Sequence, residues 1–189
     1  TQTHVAVPQK SLTGRELLQK AYWTTVQIAW NKLYCRSLFA QLRYPEGKLN
    51  EDLFLIPEVC LQIQKAVVVP KALYYYVQRG DSIMGKSSTL RHYDGAQAAY
   101  RYWSCLVENN MPEPLPETAK YILSQVSKIY WTLPAALRKA PRSREMLRMQ
   151  HDVVHSTRRY CAVPLKLRLQ SWLLWRCPQI YDWLRGITR

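Results

Sequence analysis

The sequence predicts a mostly α-helical protein with a small β component, an α+β class, and two observations carry that prediction. Apolar residues recur at helical spacing over most of residues 92–186. Before them, Ala66–Val69 and Leu73–Val77 are short runs rich in Val and Tyr, separated by Pro70-Lys71, and they predict two strands. We therefore expect two domains, with mixed structure over residues 1–88 and a basic helical extension over residues 89–189.

The first predicted helix has a capping box. Thr13 is followed three residues later by Glu16, so each side chain can bond to the other's backbone N–H and start a helix over Gly14–Tyr22. The next segment, Ile28–Cys35, fits either a strand or a buried turn of helix, because its periodicity favours neither. Tyr44–Gly47 reads as a turn.

A second helix is predicted to begin after Asn50, which is a good N-cap residue. Glu51 and Asp52 then lie in its first turn, where acids complement the helix dipole. Apolar residues continue through Ile63, and Pro57 should either kink this helix or confine its first turn.

The second half of the chain predicts successive helices. One apolar stripe comprises Ala96, Ala99, Tyr100, Trp103 and Val107, and another comprises Ala119, Ile122, Val126, Ile129, Tyr130 and Leu133. A connector over residues 134–142 leads to a basic helix from about Arg142 to Tyr160. The last predicted helix, Pro164–Gly186, carries apolar residues on two opposite faces, which favours packing on both sides. These are Leu165, Leu169, Trp172 and Leu173 on one face, and Leu167 and Leu174 on the other.

The chain is strongly basic, and the charge is uneven. The formal net charge is +14, of which residues 1–84 contribute +4 and residues 85–189 contribute +10. Such a surface attracts nucleic acid, anionic lipid or phosphorylated substrate, and the charge by itself does not distinguish them. Five distant cysteines without a CxxC favour a reduced, cytosolic setting. No signal peptide and no run of 18 apolar residues occurs in this sequence, so no spanning helix is expected.

The most specific signal is a series of short phrases in a fixed order. They are Ala29–Tyr34, Ser37–Phe39, Arg43–Lys48, Glu51-Asp52 with Phe54, Val67–Val69, Leu73–Tyr76, Gln78-Arg79 and Asp81–Met84. Their order and spacing resemble the inverting, GT-A-fold glycosyltransferases of family two, of the kind that builds bacterial capsule, O-antigen and other surface polysaccharides. The resemblance covers residues 11–84 and continues weakly to Pro178–Tyr181 near the C-terminus. It implies that residues 1–88 are an incomplete, acceptor-side part of a GT-A-like domain.

The resemblance also implies roles for the acidic pair. Asp52 would be the general base and Glu51 its structural partner. An inverting transfer needs the acceptor hydroxyl to lose its proton as it attacks the anomeric carbon, and a carboxylate within hydrogen-bond reach can take that proton. Taken without the surrounding phrases, Asn50, Glu51 and Asp52 would only cap a helix.

Further substrate-binding residues follow from the same resemblance. Trp30, Asn31 and Lys32 would line the acceptor pocket, with Trp30 stacking on a sugar face; packing at a sheet edge is the alternative interpretation. Arg79 would help to neutralise the leaving diphosphate, and Ser82 belongs to a loop that would fold over the site. A solvated loop arginine is the alternative interpretation for Arg79.

The donor side has no counterpart in this sequence. The family's Asp-x-Asp motif holds a divalent metal on the diphosphate, yet no two aspartates here have that spacing, and no glycine-rich phosphate loop occurs. We expect the complete enzyme to use Mn²⁺ or Mg²⁺ through ligands that are not in this chain. We also expect the isolated chain to bind nucleotide-sugar weakly or not at all. His151 and His155 are spaced i, i+4, but without a clear third ligand they predict no metal site.

The expected function is therefore sugar transfer from a nucleotide-sugar to a glycan or lipid-linked acceptor. It would take place in the cytoplasm, with peripheral contact at the inner face of the plasma membrane. Trp172, Trp175 and Trp183 lie in a basic tail that could contact anionic lipid, although Arg176 interrupts the apolar stripe. A non-catalytic carbohydrate- or protein-binding module derived from the family is the alternative. Nucleic acid is not an expected partner, since no helix-turn-helix, zinc-finger or RNP-type motif occurs.

Overall fold

The computed structural model describes residues 11–20, 28–69, 71–75, 77 and 89–187. The chain divides into two compact units, one of Thr1–Pro45 with Asp52–Lys86 and one of Glu46–Glu51 with Ser87–Arg189. The described residues are mostly helical, with one small two-stranded antiparallel sheet, as the sequence predicts. The finer expectations, a GT-A-like first part and a domain boundary at residue 88, stay predictions.

The first unit contains β1 (Ser11–Leu12), α1 (Gly14–Lys20), most of α2 (Glu51–Gln62) and β2 (Ala66–Val67). The two strands pair antiparallel, with Ser11 opposite Val67 and Leu12 opposite Ala66. Short 3₁₀ turns over Ala29–Asn31 and Arg36–Phe39 lie between α1 and α2. The segment from residue 28 to residue 35 is therefore neither a strand nor a buried helical turn.

The capping box of α1 is confirmed. The backbone N–H of Thr13 donates to the Glu16 carboxylate at 2.8 Å, and the Glu16 N–H donates to the Thr13 hydroxyl at 3.2 Å. Gly14 then sits directly against the end of α2, where its N–H donates to the Ile63 carbonyl at 3.1 Å. A Cβ built on Gly14 would lie 1.7 Å from the Cys60 carbonyl oxygen, so only glycine fits there.

Helix α2 supplies the largest buried segment of this unit. Its buried side chains are Leu53, Phe54, Leu55, Ile56, Pro57, Val59 and Cys60. Pro57 lies in the helix interior rather than in the first turn, and the helix continues for five residues beyond it. Asn50 has a φ of 59°, in the left-handed region, whereas an N-cap residue is usually extended. The predicted helix start directly after Asn50 is confirmed.

The predicted strand Leu73–Val77 is wrong for the residues that the structure describes. Residues 71–75 and 77 have no regular structure, and Leu73 and Tyr75 are largely exposed. The first predicted strand shortens to β2, only two residues long. Strand propensity reflects packing on a half-buried surface, and these side chains have little to pack against.

Among its described residues, the second unit has a short 3₁₀ turn over Leu90–His92 followed by six α-helices. They are α3 (Tyr93–Glu108), α4 (Leu115–Thr132), α5 (Ala135–Arg138), α6 (Pro141–Thr157), α7 (Leu165–Arg176) and α8 (Pro178–Ile187). Helix α3 packs on α4, α6 packs on α7, and α7 packs on α8, while α4 also packs on α6. Polar bonds join the helices inside the core. The Trp103 indole N–H donates to the Thr157 hydroxyl at 2.9 Å, and the Gln150 amide donates to the Ser171 carbonyl at 3.0 Å.

The apolar stripe predicted for α4 agrees with the structure better than the stripe predicted for α3. All six residues predicted for α4 are buried. In α3 the predicted residues Ala96, Ala99 and Trp103 are buried, whereas Tyr100 is exposed and Val107 is half-buried. Three residues outside the predicted stripe are buried as well: Tyr93, Tyr102 and Leu106. Tyrosines suit both a buried and a half-exposed position, so they weaken the sequence signal for the buried face.

The predicted connector holds the short helix α5, and the predicted final helix is in fact two helices. Cys177 leaves the helical conformation with φ −137° and ψ 61°. Pro178 follows it, and proline disfavours the α-conformation of the preceding residue. In α7 only Ser171 and Leu174 are buried, while Leu165, Leu169 and Trp172 are exposed. The prediction that both faces are covered is therefore wrong for α7.

Candidate functional site

Asp52 lies in the first turn of α2 and is half-buried. Its carboxylate oxygen accepts the backbone N–H of Leu53 at 2.8 Å. The first N–H groups of a helix have no partner within the helix, and the positive end of the helix dipole lies here. A carboxylate in this position can also accept a hydrogen bond from a bound molecule.

Lys32 lies near Asp52 and is also half-buried. Its ammonium donates to the Ile28 carbonyl at 2.5 Å and to the Asn31 side-chain oxygen at 2.6 Å. Burial lowers the pKa of Lys32 to about 8. Electrostatic interactions with Cys60 and Asp52 act in the opposite direction, but burial has the larger effect. The structure thus brings two predicted site residues, Lys32 and Asp52, within electrostatic range, and holds Asn31 on the lysine.

Tyr34 is a neighbour of this pair that the sequence analysis did not single out. Burial raises its pKa well above the usual range, and the nearby Tyr44, Cys60 and Asp52 raise it further. Its ring makes an edge contact with Phe39, with 5.4 Å between the centroids. A phenol held in its neutral form is a hydrogen-bond donor. In the sequence, only the position of Tyr34 at the end of the Ala29–Tyr34 phrase could have pointed to it as a site residue.

Trp30 forms an exposed aromatic pair with Tyr74. The two rings stack with 4.3 Å between centroids, although Trp30 is 45% exposed and Tyr74 is 54% exposed. Trp30 belongs to the same 3₁₀ turn as Asn31, directly before Lys32. The pair therefore presents a flat aromatic surface to solvent, and Trp30 is separated from Lys32 by one residue in the sequence.

The remaining predicted site residues are Glu51, Arg79 and Ser82. Glu51 is the first residue of α2 and is exposed. Arg79 and Ser82 lie outside the residues that the structure describes.

The segment immediately before the acidic pair is held by Asp94, a buried carboxylate at the start of α3. Asp94 accepts the Lys48 ammonium at 3.2 Å and the Leu49 backbone N–H at 3.2 Å. Arg142 of α6 approaches the same carboxylate at 3.5 Å. Arg91 adds a bond to the Gly47 carbonyl at 3.0 Å. Residues 47–49 are thus bound at both backbone and side chain.

An open depression of about 610 Å³ lies beside the Tyr44 ring. Its lining residues are Arg36, Ser37, Phe39, Ala40, Leu42, Arg43 and Tyr44. The Arg43 guanidinium donates to the carbonyls of Phe39 and Leu42, which ties it to the backbone of this turn. The depression does not include Asp52 or Lys32, so we place the candidate chemistry at the Asp52–Lys32 pair.

The residues present do not fit a metal site. Over the part of the chain that the structure describes, no group of three or more His, Cys, Asp and Glu side chains could hold an ion. His151 stacks instead on Trp175, with 4.5 Å between ring centroids, and burial lowers its pKa. None of the described helices combines the length and apolarity needed to cross a bilayer.

Comparisons with known proteins give one match. Part of the chain is 46% identical over 55 residues to Glycosyltransferase GlyA of Streptococcus pneumoniae serotype 4 (strain ATCC BAA-334 / TIGR4). The matched stretch is 29% of this chain and 8% of GlyA, so the chain spans a small fraction of that relative. No family model and no solved structure matches. In that stretch of its sequence, the protein is related to a glycosyltransferase.

Proposed function

We propose that this chain is the acceptor-side part of an inverting, family-two-like glycosyltransferase of surface-polysaccharide synthesis. The sugar would pass from a nucleotide-sugar to a glycan or lipid-linked acceptor at the cytoplasmic face of the membrane. The observation that carries the proposal is the 46% identity to a glycosyltransferase over 55 residues. The surroundings of Asp52 support it, because they suit a proton acceptor.

In the proposed mechanism Asp52 takes the proton of the acceptor hydroxyl. The hydroxyl oxygen forms a bond to the anomeric carbon from the face opposite the diphosphate, and the bond from that carbon to the diphosphate oxygen breaks with its electron pair. The Leu53 N–H at 2.8 Å holds one carboxylate oxygen of Asp52 in place. This leaves the remaining acceptor capacity of the carboxylate for the substrate.

Lys32, Asn31 and Trp30 would bind the acceptor. The Lys32 ammonium and the neutral Tyr34 phenol can donate hydrogen bonds to sugar hydroxyls beside Asp52. The exposed Trp30–Tyr74 pair offers an apolar face of the kind on which a sugar ring stacks. Glu51 would support the acidic pair, and Arg79 and Ser82 would contribute from the loop that follows.

In this proposal, the residues that bind the nucleotide-sugar and its metal are not in this chain. A divalent Mn²⁺ or Mg²⁺ would stabilise the leaving diphosphate in the complete enzyme. We assign no step to a metal here, because the described residues do not fit one.

The test is the substitution Asp52→Asn in the polypeptide as the source cell makes it. Transfer should fall by about two to four orders of magnitude, while nucleotide-sugar binding stays unchanged, because the amide cannot accept the proton. Glu58→Gln is the matched control, since it removes a carboxylate from the same helix two turns later. Turnover by Asp52→Asn at the level of this control would refute the role of Asp52.

A non-catalytic carbohydrate-binding module is the second candidate, and the exposed Trp30–Tyr74 pair favours it. Glycan binding that depends on Trp30, in a protein whose natural polypeptide shows no transfer with any nucleotide-sugar, would establish that candidate instead.

A further inference from the structure

Helix α8 is amphipathic, but its apolar face points outward. Ile180, Trp183 and Leu184 are spaced i, i+3, i+4 and are 49%, 66% and 41% exposed. The other face holds the helix in place. The Tyr181 ring stacks at 5.7 Å on Trp131, and Asp182 approaches Arg138 at 3.8 Å. The orientation of α8 is therefore fixed by contacts that leave its apolar side to solvent.

Helix α7 shows the same arrangement. Leu165, Leu169 and Trp172 follow one another at i, i+4, i+7, and all three are exposed. Ser171 and Leu174, on the opposite side, are buried. We call these six exposed side chains the α7–α8 apolar surface: Leu165, Leu169, Trp172, Ile180, Trp183 and Leu184. Each helix exposes three large apolar side chains on one face, and α7 and α8 pack on each other. Clustered exposed apolar side chains are the feature that interaction sites share.

The sequence around this surface is basic. Residues 158–189 contain seven Lys and Arg and one acidic residue, Asp182. Lys166, Arg168 and Arg176 belong to α7 itself. Arg176 lies on the apolar side of α7, where its guanidinium stacks at 4.2 Å on the Trp175 ring. A long cationic side chain can lie along apolar surface and reach a headgroup with its charged end.

We propose that the α7–α8 apolar surface binds the interface of an anionic lipid bilayer. Trp and Leu side chains would enter the boundary between headgroups and acyl chains, while the basic residues would contact anionic headgroups. A second copy of this chain is a poorer occupant, because each copy carries a net charge of +14 and the two would repel. The inference concerns binding alone and holds whether or not the chain takes part in sugar transfer.

The test is sedimentation of the 189-residue chain with vesicles. Two compositions are compared, phosphatidylcholine alone and phosphatidylcholine mixed with phosphatidylglycerol. The chain should sediment with the mixed vesicles, and each basic residue at the surface should raise affinity by about fivefold. The double variant Trp172→Gln/Trp183→Gln should bind at least about tenfold more weakly. Both positions are exposed, so circular dichroism should show an unchanged helical content.

Tyr75→Gln is the matched control, because Tyr75 is an exposed aromatic residue of the other unit. Equal binding by the double variant and the control would overturn the proposal in favour of unspecific charge attraction. Equal binding to both vesicle compositions would overturn the anionic preference. Failure to bind vesicles, together with dimers in sedimentation velocity that the double variant abolishes, would identify a second copy as the occupant.

Discussion

Replacing Asp94 by alanine should destabilise the helical unit, because this buried carboxylate joins three parts of it. It is 6% exposed and contacts Lys48, the Leu49 N–H and Arg142. Its loss leaves two cations and a backbone donor without their anion.

The size of the expected loss in stability depends on how much water can reach Lys48, Arg142 and the Leu49 N–H in the variant. Removing one partner of a fully buried ion pair costs about 3–5 kcal/mol. The Lys48 and Arg142 side chains are 36% and 26% exposed, so water recovers part of that cost. Arg142 also keeps its bonds to Gln97 at 3.0 Å and Glu145 at 3.3 Å. We therefore expect Asp94→Ala to lower the free energy of unfolding by about 2 kcal/mol. Asp94→Asn keeps one acceptor oxygen and should lose about 1 kcal/mol.

The assay is urea unfolding at neutral pH, followed by the helical circular dichroism signal. Asp152→Ala is the matched control, because Asp152 is exposed and pairs with Arg148 of its own helix at 3.7 Å. It should change stability by less than about 0.5 kcal/mol. A loss for Asp94→Ala no larger than that of the control would refute the view that Asp94 anchors residues 47–49.

Two further predictions concern the first unit. The amine of Lys32 should titrate near pH 8 in an NMR titration of the ¹³C-methylated chain, and a midpoint near 10.5 would contradict its burial. Since the unfolded chain holds this proton up to pH 10.5 and the folded chain only to about pH 8, Lys32 should make stability rise with pH between those values. Lys32→Met should remove that slope in urea unfolding measured across this range. Gly14→Ala should cost about 2 kcal/mol or more in the same assay, because its Cβ would meet the Cys60 backbone at 1.7 Å. Gly47→Ala is the comparison: it has open space and a φ of 70°, so strain of about 1 kcal/mol is expected, and an equal loss at both glycines would contradict the steric argument.

Local signals in the sequence predicted local structure well. The Thr13–Glu16 capping box forms as expected, since both partners lie within one turn of helix. The α4 stripe is buried at every predicted position, because aliphatic residues at helical spacing leave one choice of face. The acids at the start of α2 also lie where their type and spacing indicated.

Features that depend on contacts between residues far apart in the sequence were predicted less well. The run Leu73–Val77 has strand-like composition but forms no strand in its described residues, because pairing and burial decide that outcome. The burial of Lys32 and Tyr34 and their electrostatic proximity to Asp52 depend on the fold, and no short-range pattern predicts them. Asp94 looks like any first-turn acid in the sequence, and only the fold places Lys48 and Arg142 on it.

The sequence by itself therefore determined the helical class, the basic charge, most helix positions and the resemblance that directed attention to Asp52, because these depend on residue type and spacing along the chain. Tertiary structure alone decided which predicted residues meet and which face of each helix is covered. In α7 it overturned the expectation that both faces are covered, since Ser171 and Leu174 are buried while Leu165, Leu169 and Trp172 stay exposed. A helix's periodicity defines an apolar face, but only the position of its neighbours determines whether that face is buried.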